Sequence, residues 1–242
     1  MKGLFLFIGE SFRSGSQYSR IKGLPESYIE QINACQSHVN FIKKLEDKYK
    51  LEKSKVVIVS YSTQYNNELL KIYNDNIVSY LFFTKMIGLN NLFHEGIKKI
   101  NNINDYDFIF YNRIDLYLKD TLFEKIDLLQ NKILFANICW LRDCICKNKY
   151  PRVNDMIIFI PRNFYSKITY VHVYHDAWYH LIEKGKMNND DIDFILNTFH
   201  DSDSEKDYNP LYYIVNRNQS LIWHDQNKTF DKNKFFLYIK SK

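Results

Sequence analysis

Two unbroken apolar runs, GLFLFIG (3–9) and KVVIVS (55–60), flank a long amphipathic stretch, and this arrangement limits the fold more than any other feature. A continuous apolar run of that length reads as a strand covered on both faces, because a strand with one wet face alternates. Between the runs, Ser27 and Glu30 make an S-x-x-E helix start just after Pro25, and Ile29, Ile32, Val39, Ile42 and Leu45 recur at helical spacing. Strand, helix, strand in this order is a βαβ unit, which calls for a parallel sheet.

The alternation continues along the chain. The pattern predicts a helix over 66–74, a strand over 77–83, a helix over 89–100, a strand over 106–111, a short helix over 122–129, and strands at KILFAN (132–137) and DMIIFIP (155–161). Beyond these it predicts helices over 164–184, 190–199 and PLYYIVNR (210–217), a polar loop at HDSDSEKD (200–207), and two short segments, LIW (221–223) and FFLYI (235–239), that close or edge the sheet. With no repeat or linker in 242 residues, the expectation is one α/β domain spanning 1–242, a mixed and mostly parallel sheet flanked by helices.

Composition removes several classes. Nineteen Tyr and 18 Phe against 7 Gly and 4 Pro describe a folded chain rather than a collagen-like or disordered one. The net charge of +5 is scattered, with no basic stripe for nucleic acid, and suits an anionic small substrate. The run Leu4 to Ile8 is too short for a signal segment, no stretch approaches a membrane span, and a cytoplasmic location is expected. Cys35, Cys139, Cys144 and Cys146 form no C-x-x-C pair, so reduced thiols are expected rather than a zinc site.

Two segments concentrate polar groups at strand ends, where open α/β sheets place their ligands. The first is GESFRSGSQYSR (9–20) after the first strand: Gly9 for close backbone approach, Glu10, Ser11, Ser14, Ser16 and Gln17 for hydrogen bonding, and the planar forks of Arg13 and Arg20 for phosphate. Its RSGS resembles the phosphosulfate-binding loop of sulfotransferases, which implies a phosphoadenosine phosphosulfate donor. The second is YDFIFYNRIDLYLKD (106–120), where a strand runs straight into Asn112, Arg113 and Asp115.

The order of elements, with a mid-chain strand ending in an acid, resembles the GT-A glycosyltransferases. Y-D-x-x-x-x-x-R-x-D-L is similar to a pattern in glycosyltransferase-like proteins of surface-polysaccharide loci and large algal DNA viruses. The resemblance implies a nucleotide-sugar donor, a glycan or other hydroxyl acceptor, a donor-binding half over 1–120 and an acceptor-side half over 121–242. It also implies a divalent metal, Mn or Mg, at the position of Asp115. Where that family carries D-x-D this chain reads Arg113-Ile114-Asp115, so only the second acid is matched and Arg113 offers its own positive charge.

Three acids are candidates for acceptor activation: Asp191 where a late helix is expected to start, Asp155 ahead of a strand, and Asp176 among His172, His175 and His180. Those histidines invite a metal reading, but their apolar neighbours favour a packed helix. Trp140, Trp178 and Tyr212 are large enough to stack on a sugar ring or to fill a core. A non-catalytic glycan- or nucleotide-binding module on the same scaffold is the third alternative beside transfer of a sugar or of a sulfuryl group.

Overall fold

The computed structural model of the chain describes residues 1–14, 21–139, 150, 152–200 and 209–215. Arg20, Trp140, Cys144, Cys146, the acidic loop beyond 200 and the runs LIW and FFLYI lie outside the described residues.

In chain order the strands are β1 (Gly3–Ile8), β2 (Arg13–Ser14), β3 (Ile21–Lys22), β4 (Lys55–Tyr61), β5 (Ile77–Phe83), β6 (Phe108–Arg113), β7 (Leu116–Leu118), β8 (Ile133–Cys139), β9 (Ile157–Pro161), β10 (Ile192–His200) and β11 (Tyr212–Ile214). The α-helices are α1 (Tyr28–Tyr49), α2 (Asn66–Tyr73), α3 (Leu89–Lys98), α4 (Asp120–Lys125) and a single turn, α5 (Ala177–Tyr179). A seven-stranded sheet in the order β10-β8-β9-β6-β1-β4-β5 organises the domain. All its pairings are parallel except those of β9, which runs against both β6 and β8. The expected mixed, mostly parallel sheet flanked by helices is the one observed.

The unbroken apolar runs follow from this sandwich. Alternate residues of β1, Phe5 and Phe7, join the core under α1 and α2, while Leu4, Leu6 and Ile8 join the core under α3 and the 160–181 segment. Both faces are dry, so no position in the strand is left for a polar residue. Gly96 lets α3 lie close on the sheet: a Cβ there would stand 2.9 Å from Val59 Cγ2 and 3.1 Å from Leu6 Cδ1.

Several expected elements differ. The Ser27 hydroxyl does not cap α1; it donates to the carbonyls of Phe12 (3.0 Å) and Leu24 (2.7 Å) and ties the preceding loop down. The expected helix over 164–184 is instead a 3-10 stretch (Arg162–Tyr170), an irregular segment, α5 and a π-turn (His180–Lys184). Of the helix expected over 190–199 only the end of a 3-10 turn (Asn189–Asp191) is helical; from Ile192 the chain is the edge strand β10, paired in parallel with β8. The run 210–217 contributes β11, which pairs antiparallel with β7. For β10 and β11 a tertiary ladder overrides weak local helical preference.

Candidate functional site

The carboxyl ends of β1, β4 and β6 and the amino end of the reversed β9 meet at one edge of the sheet. Gly9 leaves β1 at φ 134°, a conformation that favours glycine, and its N–H donates to Val59 O at 3.0 Å. Ser60 spends its one proton on Gly9 O (2.7 Å) and therefore accepts from both the N–H and the hydroxyl of Ser11, at 3.1 and 2.7 Å. Gln31 of α1 joins this loop to the next one, accepting from Phe12 N–H (3.1 Å) and donating to Ile114 O (2.7 Å).

This network draws the described part of the first loop into the framework of the sheet edge. Ser11 is fully buried, and Arg13, 5% exposed, lies with its Nε 3.7 Å from Glu10 Oε2. Arg13 and Ser14 pair with Ile21 and Lys22, and the helix that follows begins at Tyr28, behind a 3-10 turn over Pro25–Ser27. Among the described residues, the first helical turn after Arg13 and Ser14 is therefore the one at Pro25, about a dozen residues on, rather than a helix N-terminus set against them. Ser11 and Arg13 serve as buried framework, and Gly9 shapes the lip.

The second loop holds the charged constellation. Arg113 Nε and Nη2 donate to the two oxygens of Asp115 at 2.9 and 2.5 Å, with side-chain exposures of 11% and 2%. Burial opposes the guanidinium charge, but Asp115 beside it, its hydrogen bonds and then Asp155 outweigh that and hold the Arg113 pKa above its ordinary value. Arg113 N–H also donates to Met156 O (3.0 Å), so β9 delivers Asp155 to the same spot. Asn154 forms the turn there: its Oδ1 accepts from Met156 N–H at 2.9 Å and its Nδ2 donates to the Tyr212 hydroxyl at 2.7 Å. Asp155 is left with a buried Oδ1 that has no hydrogen-bond partner. The Tyr111 hydroxyl donates to Asp155 O (3.2 Å), and burial, then the Asp155 charge, keep that phenol protonated.

A metal at Asp115 does not fit this arrangement. Both carboxylate oxygens are already taken by a guanidinium in a nearly dry site, and a divalent cation would have to share them with that positive charge. In this arrangement Asp115 is engaged with Arg113 and orients it.

The other acids part company. Asp191 ends a single 3-10 turn (Asn189–Asp191), in a reciprocal capping box with Asn188, just where β10 enters the sheet. Because β10 is parallel to β8, Asp191 lies at the amino edge, at least about 16 Å of strand from Asp115. Asp176 accepts from His172 and His180 and is held down at about 2 by the His172 hydrogen bond and the nearby imidazoles, against the cost of burial. Trp178 and Tyr212 are core: Trp178 Nε1 donates to Asn189 Oδ1 at 3.0 Å, and Tyr212 is fully buried.

Sequence reasoning missed His38, buried on α1 and stacked on Phe7 with ring centroids 4.4 Å apart. Its Nε2–H donates to Leu116 O (2.6 Å), which leaves Nδ1 to accept from the Tyr73 hydroxyl (2.7 Å). The signal was its place on the buried face of α1, three residues after Cys35 and four before Ile42. Burial lowers its pKa from 6.5 to about 4, against the Leu116 hydrogen bond and the Asp115 charge. Below pH 6.5 the unfolded chain takes up a proton that the folded chain refuses, so stability is complete above that pH and falls toward pH 4. Denaturant titrations are expected to show about 2–3 kcal/mol of loss from this group between neutral pH and about pH 4.5. His38→Gln should flatten that part of the profile, and an unchanged slope would refute the assignment.

Two surface grooves, of about 480 and 400 Å³, run along α1, and neither is lined by Arg113, Asp115 or Asp155. No helix among the described residues is long and apolar enough to cross a membrane.

Neither a family model nor a curated protein sequence matches the chain. Among solved structures it is similar to a 4-diphosphocytidyl-2C-methyl-D-erythritol synthase from Anaerococcus prevotii DSM 20548, at TM-score 0.49 and 10% identity over 82% of this chain and 90% of that one. It is also similar to a Drosophila β1,4-galactosyltransferase 7 variant solved with manganese, UDP-Gal and xylobiose, at TM-score 0.44 and 11% identity over 96% of this chain and 78% of that one. The third is the galactosyltransferase LgtC with donor and acceptor sugar analogues, at TM-score 0.38 and 12% identity over 100% of this chain and 96% of that one.

Proposed function

We propose that the chain transfers a sugar from a nucleotide-sugar donor to a hydroxyl acceptor at the carboxyl edge of its sheet. The observation that carries this reading is the meeting of Arg113, Asp115 and Asp155 beside Gly9, where the ends of β1 and β6 and the start of β9 converge. Open α/β sheets bind ligands outside their strand carboxyl ends. The motif YDFIFYNRIDLYL adds its resemblance to glycosyltransferase-like proteins.

Breaking the bond between sugar and diphosphate leaves negative charge on the departing phosphate, which must be met by preorganised donors. Arg113 gives two of its five N–H groups to Asp115, and that pairing fixes the plane of the guanidinium. The remaining N–H groups face the phosphate oxygens. Asp155, with an unengaged oxygen, takes the proton from the acceptor hydroxyl if the anomeric centre inverts, or binds that hydroxyl if it is retained. Both roles need Asp155 held in place: Asn154 shapes the turn before it, and the Tyr111 hydroxyl donates to its backbone carbonyl.

Thermal-shift titration of the full chain with UDP-, GDP- and CMP-sugars tests the reading, because a ligand raises the melting temperature only when it binds the folded state. A nucleotide sugar is expected to raise it and to be consumed when a sugar acceptor is added. A rise with phosphoadenosine phosphosulfate alone would instead establish sulfuryl transfer. Binding without turnover under any metal condition would make the protein a binding module.

A further inference from the structure

We infer that His172, Asp176 and His180 form a site for one divalent transition-metal ion of the zinc class, with a coordination position left open. Among the described residues these three are grouped so that one donor atom from each lies within 4.8 Å of the others. The site is separate from Asp115, whose oxygens Arg113 occupies, and it stands without the sugar-transfer reading.

Local structure brings the ligands together in a way the sequence spacing alone does not. On a continuous α-helix, residues eight apart are about 12 Å apart along the axis. Here the chain is irregular around His172, makes only the single turn Ala177–Tyr179, and then winds as a π-turn from His180 to Lys184. The result is that the His172 and His180 rings have centroids 4.1 Å apart. π-turns are rare and are frequently found at functional positions.

The donor set suits a tetrahedral ion, and Asp176 offers a different oxygen to each imidazole, so binding draws the three donor atoms, within 4.8 Å of one another, together on one centre. His172 Nδ1 is 3.3 Å from Asp176 Oδ1, and His180 Nε2 is 3.1 Å from Asp176 Oδ2. Zinc bonds of about 2.0–2.1 Å hold adjacent ligand atoms about 3.3 Å apart in a tetrahedron. Two imidazoles with one carboxylate suit zinc and its neighbours rather than magnesium or calcium, which take oxygen. Side-chain exposures of 28% for His172, 39% for Asp176 and 25% for His180 leave one side open for water or a ligand oxygen.

The segment is also held in place from outside the cluster. Val173 N–H donates to Asn90 Oδ1 (3.3 Å), and Val153 N–H donates to His175 O (3.0 Å). His175 turns its own Nδ1 to Val153 O (3.2 Å), so it anchors the segment beside Asp155 rather than joining the ligands. The open position thus belongs to the same stretch of chain that is tied to the Asp155 turn.

Co²⁺ titration of the metal-stripped full chain, without any donor, tests the site. One equivalent should bind, give the visible absorption of a low-coordinate imidazole and carboxylate complex, and be displaced by Zn²⁺. His172→Ala and His180→Ala should each weaken binding by more than the about 10- to 100-fold that outer-shell changes cost, with far-UV circular dichroism unchanged. Should either alanine variant unfold, Asp176→Asn removes the anionic ligand while keeping both rings and is expected to show the same loss. Absence of Co²⁺ uptake by the unsubstituted chain would overturn the site, as would wild-type binding in the variants. A thiolate charge-transfer band would also overturn it by placing the ion on cysteine.

Discussion

Asp115→Ala is expected to lower the melting temperature by about 6–20 °C, the equivalent of about 3–5 kcal/mol in a chain of this size. The argument starts from burial: Asp115 is 2% exposed at its side chain and Arg113 11%, and the two share two hydrogen bonds. Removing one partner leaves the other charged in a site with almost no water, which is the costly case for a buried pair. Arg113→Met should be destabilising for the same reason. The double variant Arg113→Met/Asp115→Leu carries no buried charge at that pair and should recover most of the loss, giving a large coupling energy in the cycle. If the proposed function holds, it should nevertheless have no transferase activity, because the guanidinium assigned there to the phosphate is gone. A melting temperature for Asp115→Ala equal to that of the parent would refute the structural half of this account; an active double variant would refute the chemical half.

Asp155→Asn should do the reverse, leaving stability nearly unchanged and lowering turnover by about 10²–10⁴ with the donor that the titration identifies. Asparagine keeps the shape of the side chain but cannot take a proton. Among the described residues the buried Oδ1 of Asp155 has no hydrogen-bond partner, so no bond to that oxygen is lost with the charge. The fall is expected in kcat when Asp155 accepts the proton, and in KM when it only holds the hydroxyl. A kcat and KM both within about threefold of the parent would remove Asp155 from the site.

Much of the sheet was legible because burial on both faces writes itself into the sequence as unbroken apolar runs. β1, β4, β6 and β9 announce themselves that way or nearly so, whereas β5, at the sheet edge with Val78 and Tyr80 exposed, is apolar without being buried on both faces. The edge strand β10 was read as a helix because Asp190 and Asp191 look like a helix start. Its own pattern, Ile192, Phe194 and Leu196 at every second position, was the better signal. Ser27 shows the same limit from the other side, since an S-x-x-E pattern cannot reveal that the hydroxyl is claimed by Phe12 O. At the site, Arg113 and Asp115 were visible as charges at a strand end, and Asp155 as an acid ahead of one. Their convergence was not, because it depends on β9 entering between β6 and β8, a choice of neighbour that no local pattern encodes.

That reversed strand has a consequence for synthesis of the protein. Until Ile157–Pro161 emerge, β6 ends the growing sheet with an unpaired edge whose residues Phe108 to Tyr111 are apolar. Such an edge is a template for pairing with another chain. A nascent chain halted before residue 157 would therefore be prone to aggregate and would lack Asp155 at its post. One short antiparallel ladder both seals the sheet and completes the reactive cluster, so chains that pass the first requirement have already met the second.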